Sequence, residues 1–309
     1  MKRAIALVLM FMLMFSFSAC GDEEVSSVTS TISAVSSKTE TVSSSAEESS
    51  EQSVSSVEST PVVSAETETE SKPTQEEGIM LKVASYNIAN GSKCGHNMQL
   101  IANDITSKDI DIVGFQEIDR LSGRSQNLDT MKVLSELTGY KYYTFVKAID
   151  LPASIGGEYG IGILSKYPIT NEASKQINSF GYEQRVVQMV EITVQGKKVN
   201  LFNTHFTYNT AEARTSQFAE VEEFMKGKKN CLLTGDFNVE AISEFDQVKS
   251  LSKVNNQNNQ LASWIPNDGW PTKCIDNIMY DKGFKLVSSA VDTNQHSDHF
   301  MIYAQFEIK

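Results

Sequence analysis

The sequence predicts an α+β sandwich in which two layers of β-sheet pack together and helices cover the outside. Two observations support this fold class. Within residues 78–309, segments with strand-like patterns outnumber segments with helical spacing, and several strands follow one another closely, as hairpins do. Because no glycine-rich turn follows the first strand, a dinucleotide-binding parallel sheet is disfavoured.

Alternating or continuous apolar patterns mark the individual strands. In chain order they cover residues 80–88, 111–116, 142–146, 159–165, 185–194, 198–206, 230–234, 276–280, 284–291 and 299–308. Apolar residues three and four positions apart predict helices over residues 98–108, 128–138 and 211–226. The third helix is expected to turn Phe218 and Val221 inward. Residues 250–272 are rich in Asn, Gln, Gly and Pro and predict a loop.

The first 20 residues predict a secretory signal. Lys2 and Arg3 precede an apolar run that is shorter than the roughly 20 residues a membrane-spanning helix needs. Ser18 and Ala19 stand directly before Cys20, which is similar to the lipobox of bacterial lipoproteins. We therefore expect Cys20 to carry a lipid and to anchor the protein at the extracellular face of the cell membrane. An ordinary cleaved signal without lipidation is the alternative.

Residues 21–77 predict a disordered tether between this anchor and the domain. Residues 22–77 contain 25 Ser and Thr in 56 positions and no Phe, Trp or Tyr. Such a segment cannot bury enough apolar surface to offset its loss of conformational entropy on ordering.

Charge is distributed unevenly between the tether and the domain. Residues 22–77 hold 13 acidic residues and two lysines, whereas residues 78–309 hold 23 basic and 26 acidic residues. The domain is thus close to neutral and lacks the basic surface that non-specific nucleic-acid binding needs. The cysteines that follow Cys20 are too few to predict a disulfide framework or a zinc knuckle, and Cys231 is expected in the core.

Polar side chains that can bind metals or transfer protons lie at the predicted strand ends. They are Asn87, Glu117, His205, Asp236, Asn238, Asp276, Asp298 and His299. Carboxylate and amide oxygens dominate this set and thiolates are absent, so it suits Mg²⁺ or Mn²⁺ better than zinc. Each residue alone also fits a loop or a turn cap. A zinc pair of His296 and His299 is a weaker alternative.

A series of short motifs runs along the domain in a fixed order. The motifs are SYNI (85–88), QE (116–117), YG (159–160) with ILS (163–165), NTH (203–205), GDFN (235–238), ID (275–276) and SDH (297–299). The series resembles the endonuclease/exonuclease/phosphatase superfamily, which includes DNase I-like nucleases, inositol-polyphosphate 5-phosphatases and bacterial neutral sphingomyelinases. The resemblance spans about residues 80–308 and implies a four-layered α/β sandwich, with two packed mixed β-sheets flanked by helices.

The resemblance also implies a metal centre and a proton-handling pair. Glu117 would be the main ligand of Mg²⁺ or Mn²⁺, with Asn87 beside it and Asp298 closing the site. Asp276 would pair with His299 and favour the charged imidazole. Either Asp236 or His299 would be the general base.

The remaining implied roles concern water and phosphate. Asp236 and Asn238 would orient the attacking water and the phosphate, and His205 and Tyr159 would contact the non-bridging oxygens. The segments around Glu117 and Arg185 look like a bacterial subgroup of the superfamily. Candidate phosphate contacts in these segments are Arg120, Arg124 and Arg185, with surface salt bridges as the alternative for each.

The expected activity is Mg²⁺-dependent hydrolysis of a phosphodiester or phosphomonoester by a membrane-anchored monomer outside the cell. An extracellular nuclease is one alternative, which the near-neutral charge disfavours. A sphingomyelinase-like activity fits the anchor, yet only Trp264 and Trp270 suggest an aromatic membrane contact. A non-catalytic binding lipoprotein is disfavoured because none of the expected carboxylates is missing.

Overall fold

Two six-stranded sheets lie face to face in this protein, as seen in a computed structural model that describes residues 78–266 and 269–309. The expected signal sequence, Cys20 and the tether lie outside the described residues. Within the described ranges, no helix is both long and apolar enough to cross a membrane.

The strands and helices occur in the following order. The strands are β1 (Ile79–Asn87), β2 (Ile112–Arg120), β3 (Tyr142–Asp150), β4 (Glu158–Ser165), β5 (Ile169–Ile177), β6 (Arg185–Val194), β7 (Lys197–His205), β8 (Cys231–Asp236), β9 (Ser252–Lys253), β10 (Asp276–Tyr280), β11 (Phe284–Val291) and β12 (Ile302–Ile308). The α-helices are α1 (Met98–Ser107), α2 (Thr130–Thr138) and α3 (Ala211–Met225). Short 3₁₀ turns cover Ala89–Cys94, Gly123–Ser125 and Ile242–Gln247.

Both sheets are mixed and share one plan. Their strand orders are β11-β12-β1-β2-β4-β3 and β5-β6-β7-β8-β10-β9. Each sheet holds one parallel pair, β1 with β2 and β7 with β8, and its other pairs are antiparallel. The carboxyl ends of these two parallel pairs carry most of the predicted site residues.

Three apolar clusters separate four layers, as expected for the α/β sandwich. The middle cluster contains Val83 of β1 and Leu201 of β7 and lies between the sheets. A second cluster packs Ile101 of α1 and Leu134 of α2 against the first sheet. A third packs Phe218 of α3 and its neighbours against the second sheet. The order is therefore helices, sheet, sheet, helix.

Side-chain caps set the starts of the three helices. Asn97 accepts a hydrogen bond from the backbone N–H of Gln99 before α1, Asp129 accepts one from Lys132 before α2, and Thr210 accepts one from Ala213 before α3. At the other end of α2, Gly139 adopts φ 75°, a left-handed conformation that glycine tolerates without strain.

The structure corrects several of the predicted strands. The two-residue strand β9 lies within residues 250–272, for which the sequence predicts a loop, and β3 continues to Asp150, beyond the predicted end at residue 146. Strand β5 was not predicted, because most side chains of this edge strand are exposed and show no apolar alternation. The last strand begins at Ile302, so His299 lies in the loop before it. The strand predicted to end at Gln116 continues to Arg120, because a β-bulge absorbs an extra residue near Glu117.

A buried amide network joins the two sheets across the core. Asn203 of β7 donates from Nδ2 to the carbonyl oxygens of Phe115 (2.8 Å) and Gly162 (3.0 Å), both in the other sheet. Its Oδ1 accepts from Gln116 Nε2 at 2.7 Å and Thr234 Oγ1 at 3.1 Å. All four polar contacts of the Asn203 amide cross or border the interface between the sheets, so the network fixes the offset of one sheet against the other.

Gly114 permits this close approach of the sheets. A Cβ atom at this position would lie 2.1 Å from Thr234 Oγ1 and 2.7 Å from Asn203 Oδ1. Any side chain here would break the network or push the sheets apart.

We predict that Asn203→Ala lowers the free energy of unfolding by on the order of 3 kcal/mol, because it removes the side-chain donor to two buried carbonyls and the shortest of the hydrogen bonds made by the Gln116 amide. Guanidinium denaturation followed by circular dichroism measures the change. Asn171→Ala on the exposed edge strand β5 is the matched control and should change the value by less than about 0.5 kcal/mol. Equal losses in the two variants would contradict the role of the network.

Candidate active site

The predicted site residues converge where the carboxyl ends of the two parallel strand pairs meet. Asn87 is the last residue of β1, and its register partner in β2 is Gln116, next to Glu117. In the other sheet His205 pairs with Asp236, and Asp236 pairs in turn with Asp276 of β10. The fold thus brings together side chains that are far apart in sequence.

A strained bulge places Glu117. Its φ is 57°, in the left-handed region that a non-glycine residue rarely adopts. The extra residue of the bulge lies between Phe115 and Ile118, which pair normally with β4. Gln116 can therefore point into the inter-sheet network while Glu117 reaches the site. Strain of this kind is concentrated at functional positions.

The amide of Asn87 connects the two sheets at the site. Its Nδ2 donates to Glu117 Oε1 and to Asp236 Oδ2, both at 3.0 Å. Its Oδ1 accepts from the backbone N–H of Ala89 at 3.0 Å, which fixes the orientation of the amide. In this orientation the nitrogen faces the carboxylates, so direct metal ligation through Oδ1 stays a prediction.

Asp276 holds His299 in a buried pair. His299 Nδ1 lies 2.8 Å from Asp276 Oδ2, which also accepts from Ser263 Oγ at 2.5 Å. Burial by itself lowers the pKa of His299, but the Asp276 and Asp236 carboxylates outweigh it and raise that pKa to about 10. The ring is consequently an imidazolium at neutral pH, with Nε2 3.7 Å from Asp236 Oδ2.

Asp236 lies between the two halves of the site. Burial, together with repulsion from Asp276, raises the pKa of Asp236, and His299 and the Asn87 hydrogen bond oppose this rise. Its Oδ1 accepts from the backbone N–H of Asn238 at 2.9 Å. A carboxylate with a raised pKa that remains next to a cation is suited to accept a proton from water.

His205 is a neutral ring, so one ring nitrogen accepts a hydrogen bond and the other carries the hydrogen. Arg185 Nη1 donates to Nδ1 at 3.2 Å, and Nε2 lies 3.1 Å from Asn238 Nδ2 and 3.5 Å from the acceptor Asp236 Oδ2. Burial, Arg185 and His299 all lower the pKa of His205 well below its usual value. The side chain therefore adds no charge to the site.

The three candidate arginines have different surroundings. Arg185 is buried, forms an ion pair with Glu183 at 2.7 Å, and keeps its Nε without a partner. Arg124 makes two hydrogen bonds of 2.8 Å to the buried Asp119, which directs the guanidinium towards the ring of Tyr159.

Arg120 lies apart from the other two arginines. It pairs with Glu158 and stacks on Phe145, and it does not line the cavity at the site. Its contacts match the surface salt bridge, which is the alternative that the sequence left open for this residue.

An open cavity of about 670 Å³ covers the site. The predicted metal, proton-handling and phosphate-contact residues line it, with three exceptions. Asn87 and Asp276 lie beneath it, and Arg120 does not line it. Its wall also includes Tyr208, Glu240, Trp264 and Lys273. Trp264 therefore belongs to the site, whereas the exposed Trp270 packs edge-on against Phe300.

Some supporting residues were not predicted from the sequence. Ser263 lies in the irregular loop and has no pattern that marks it. Asp119 lies in the segment around Glu117 that resembles the bacterial subgroup, but the sequence assigns it no role. Its charge, two residues after Glu117, is the signal that could have marked it. Asp104 of α1 binds His296 Nδ1 at 3.0 Å and thereby supports the loop that carries Asp298 and His299. His296, one of the two rings of the alternative zinc pair, is thus held by Asp104 and does not line the cavity.

The sequence profile of the Endonuclease/Exonuclease/phosphatase family matches residues 84–299. The chain belongs to this family. Its members hydrolyse phosphoester bonds and generally depend on a divalent metal, so the chain is a phosphoester hydrolase. No curated protein matches the chain by sequence.

Solved structures of the endonuclease/exonuclease/phosphatase fold agree with this assignment. A family protein from Bacteroides thetaiotaomicron superposes with a TM-score of 0.62 at 20% identity, covering 75% of this chain and 99% of its own. A mannosyl-6-phosphatase from the same organism gives 0.60 at 21%, covering 73% and 99%. TDP2 from D. rerio, complexed with a single-strand DNA product, gives 0.57 at 18%, covering 74% and 99%.

The donor set of this family member fits a divalent cation at Glu117 and Asp298. Burial raises the pKa of Glu117, and the nearby Asp298 raises it further, so a cation between the two carboxylates would relieve their repulsion. Asn87 occupies only one of the Glu117 oxygens. The buried trio Asp236, Asp276 and His299 is close enough to enclose an ion, but the charged His299 ring has no lone pair to offer.

We predict that the two site histidines differ in charge in the metal-free protein at pH 7.5, with His299 protonated and His205 neutral. His299, with a pKa of about 10, stays protonated until the pH rises well above 9, whereas His205 stays neutral and gains a proton only at lower pH. Long-range ¹⁵N–¹H correlation spectra measure both rings. Asp276→Asn should lower the pKa of His299. A wild-type His299 that titrates near its usual pKa of about 6.5 would contradict the pairing.

Proposed function

We propose that this protein is a Mg²⁺-dependent hydrolase of phosphoester bonds that acts outside the cell at the membrane surface. The observation that carries the proposal is the Asn87 amide, which joins Glu117 of one sheet to Asp236 of the other at 3.0 Å each. This link sets a metal-binding carboxylate beside a carboxylate with a raised pKa. Phosphoester hydrolysis requires both functions at one phosphorus atom.

Glu117 and Asp298 would hold the cation, with Asn87 beside them. Their oxygen donors suit Mg²⁺ or Mn²⁺, and none of the cysteines among the described residues lines the cavity. When bound, the ion supplies charge that neutralises the phosphate oxygens and polarises the P–O bond.

Asp236 would take the proton from the attacking water. Against the effect of burial, the Asp276 and Asp236 carboxylates raise the pKa of His299 to about 10, so it would already be protonated at neutral pH and its charge would instead face Asp236 and the phosphate. Asp276 keeps that charge in place. This assignment selects between the two bases that the sequence left open.

The phosphate oxygens would meet donors on the opposite side of the cavity. The buried, unpartnered Nε of Arg185 is one such donor, and Asn238, Tyr159 and Arg124 line the same space. An unsatisfied buried guanidinium nitrogen is costly unless a ligand completes it. Neutral donors such as Asn238 and Tyr159 add hydrogen bonds without introducing charge.

We predict that Glu117→Ala lowers kcat/KM at least about 100-fold, since it removes the main cation ligand. The purified protein is assayed with 4-nitrophenyl phosphate and bis(4-nitrophenyl) phosphate, which separate monoesterase from diesterase activity. Chelation with EDTA should abolish hydrolysis, and added Mg²⁺ should restore it. The exposed Glu172 of β5 provides the control variant Glu172→Gln, which should retain full activity. Activity that survives both EDTA and Glu117→Ala would refute the proposal.

A nuclease is the second candidate, favoured by the likeness to TDP2 bound to a DNA product. The near-neutral charge of residues 78–309 weighs against it. Single-stranded DNA used as the substrate under the same assay conditions tests directly for nuclease activity.

We also predict that Cys20→Ala releases the protein from the membrane, because the thiol is the only attachment point for the expected lipid. Membrane and soluble fractions of cells fed a labelled fatty acid are compared by immunoblot and label incorporation. Wild-type protein should carry the label and sediment with membranes. A wild-type protein that is unlabelled and freely secreted would favour the ordinary cleaved signal.

A further inference from the structure

Helix α3 buries two polar side chains, Arg214 and Gln217, that the chemistry of the site does not use. Both are 0% exposed, and they lie three residues apart on the face that also carries Phe218. Burying a guanidinium and an amide contributes little net stability compared with apolar packing. Their contacts indicate a more specific role.

Arg214 ties together two loops of the cavity wall. Its Nε and Nη2 donate to Glu244 at 2.9 and 3.1 Å, and its Nη1 donates to the carbonyl oxygen of Tyr208 at 3.2 Å. Nη2 also lies 3.3 Å from Glu240 Oε1. The loop after β7 is thereby fastened to the loop after β8, and Glu244 accepts from the Glu240 N–H at 2.7 Å to complete the connection.

Gln217 adds a third loop to the same wall. Its Oε1 accepts from the backbone N–H of Thr207 at 3.0 Å, and its Nε2 donates to the carbonyl oxygen of Asn178 at 3.0 Å. Asn178 begins the loop between β5 and β6, which carries Glu183 next to Arg185. Three separate loops of the cavity are thus held by one face of one helix.

The wall held in this way presents two largely exposed side chains to the cavity. Tyr208 is 67% exposed and the Glu240 side chain is 68% exposed, and both line the cavity. An aromatic face and a carboxylate acceptor suit a hydroxyl-bearing group. Among Arg214, Glu240 and Glu244 one negative charge is uncompensated, which disfavours an anionic group beside Glu240. The Lys273 ammonium, which also lines the cavity, lies over the Trp264 ring.

We propose that Arg214 and Gln217 are positioning residues that hold Tyr208 and Glu240 as a preformed subsite for the organic group on the phosphorus. The subsite takes an uncharged, hydroxyl-bearing group. This inference rests on the proposed phosphoester hydrolysis for its substrate, but the loop anchoring stands independently of it. A preformed wall lowers the ordering cost of binding, so its loss acts mainly on KM.

Hydrogen–deuterium exchange of the full-length protein in detergent tests the anchoring without any substrate. In Arg214→Met, amide exchange should speed up at residues 206–210 and 239–244, and in Gln217→Met at residues 178–184 and 206–208. Lys226→Met, at the exposed end of the same helix, is the matched control and should match wild type. Exchange that rises only within α3, or nowhere, would overturn the anchoring.

Kinetics separate a positioning role from general destabilisation. Arg214→Met should raise KM about tenfold while kcat and Mg²⁺ affinity stay within about threefold of wild type. Arg214→Lys, which keeps the charge but not the fork of donors, should recover part of the loss. A fall in kcat at constant KM would overturn the proposal. If Arg214→Met does not fold, Tyr208→Ala provides the same test, because it removes only an exposed ring.

A matched pair of competitors tests the charge preference of the subsite. Glucitol 6-phosphate and 6-phosphogluconate are both open-chain and differ only in a carboxylate that replaces a terminal hydroxymethyl group, and the first should inhibit hydrolysis of the nitrophenyl ester about tenfold more strongly. Glu240→Gln should narrow this ratio. Equal inhibition by both compounds would overturn the assignment of an uncharged group. If wild type hydrolyses neither nitrophenyl ester, the proposed function fails, and the exchange experiment still decides the anchoring.

Discussion

The active site depends on one buried amide that crosses from one sheet to the other. Asn87 donates to Glu117 in its own sheet and to Asp236 in the facing sheet, each at 3.0 Å. Two carboxylates brought this close repel one another, and a neutral double donor relieves part of that repulsion. The contact tolerates little sliding of the sheets. The Asn203 network a short distance along the same strands removes that freedom, so core packing and site geometry rest on the same inter-sheet alignment.

Charge in the site is balanced by groups that keep fixed protonation states. Asp276 stabilises a charged His299, and His299 in turn limits the rise in the pKa of Asp236. His205 stays neutral because burial, Arg185 and the charged His299 ring all lower its pKa. The buried ring pair therefore separates into one cation and one neutral group. Such separation of neighbouring titratable groups is how a fold assigns acid and base roles near neutral pH.

Chemistry and substrate recognition occupy different parts of the framework. The groups proposed for metal binding and proton transfer come from strand ends or the adjoining loop before β12, where backbone pairing limits movement. The groups proposed to meet the organic part of the substrate, Tyr208 and Glu240, lie on loops and depend on α3 for their position. Loops change more freely than paired strands. This division allows one hydrolytic centre to serve different phosphoesters.

The sequence by itself determined two packed sheets with helices outside, because strand and helix patterns are local. The resemblance carried by its ordered series of motifs implied the four layers and named the site residues. It could not show the bulge that turns Glu117 towards the cavity, since a bulge depends on pairing with β4. Nor could it separate Arg185 in the cavity from Arg120 outside it, because both look like arginines near strand ends. Only the tertiary structure decided that Arg214, on a helix expected to bury apolar side chains, lies at the centre of one wall, because its carboxylate partners Glu240 and Glu244 are 26 and 30 residues away in the sequence.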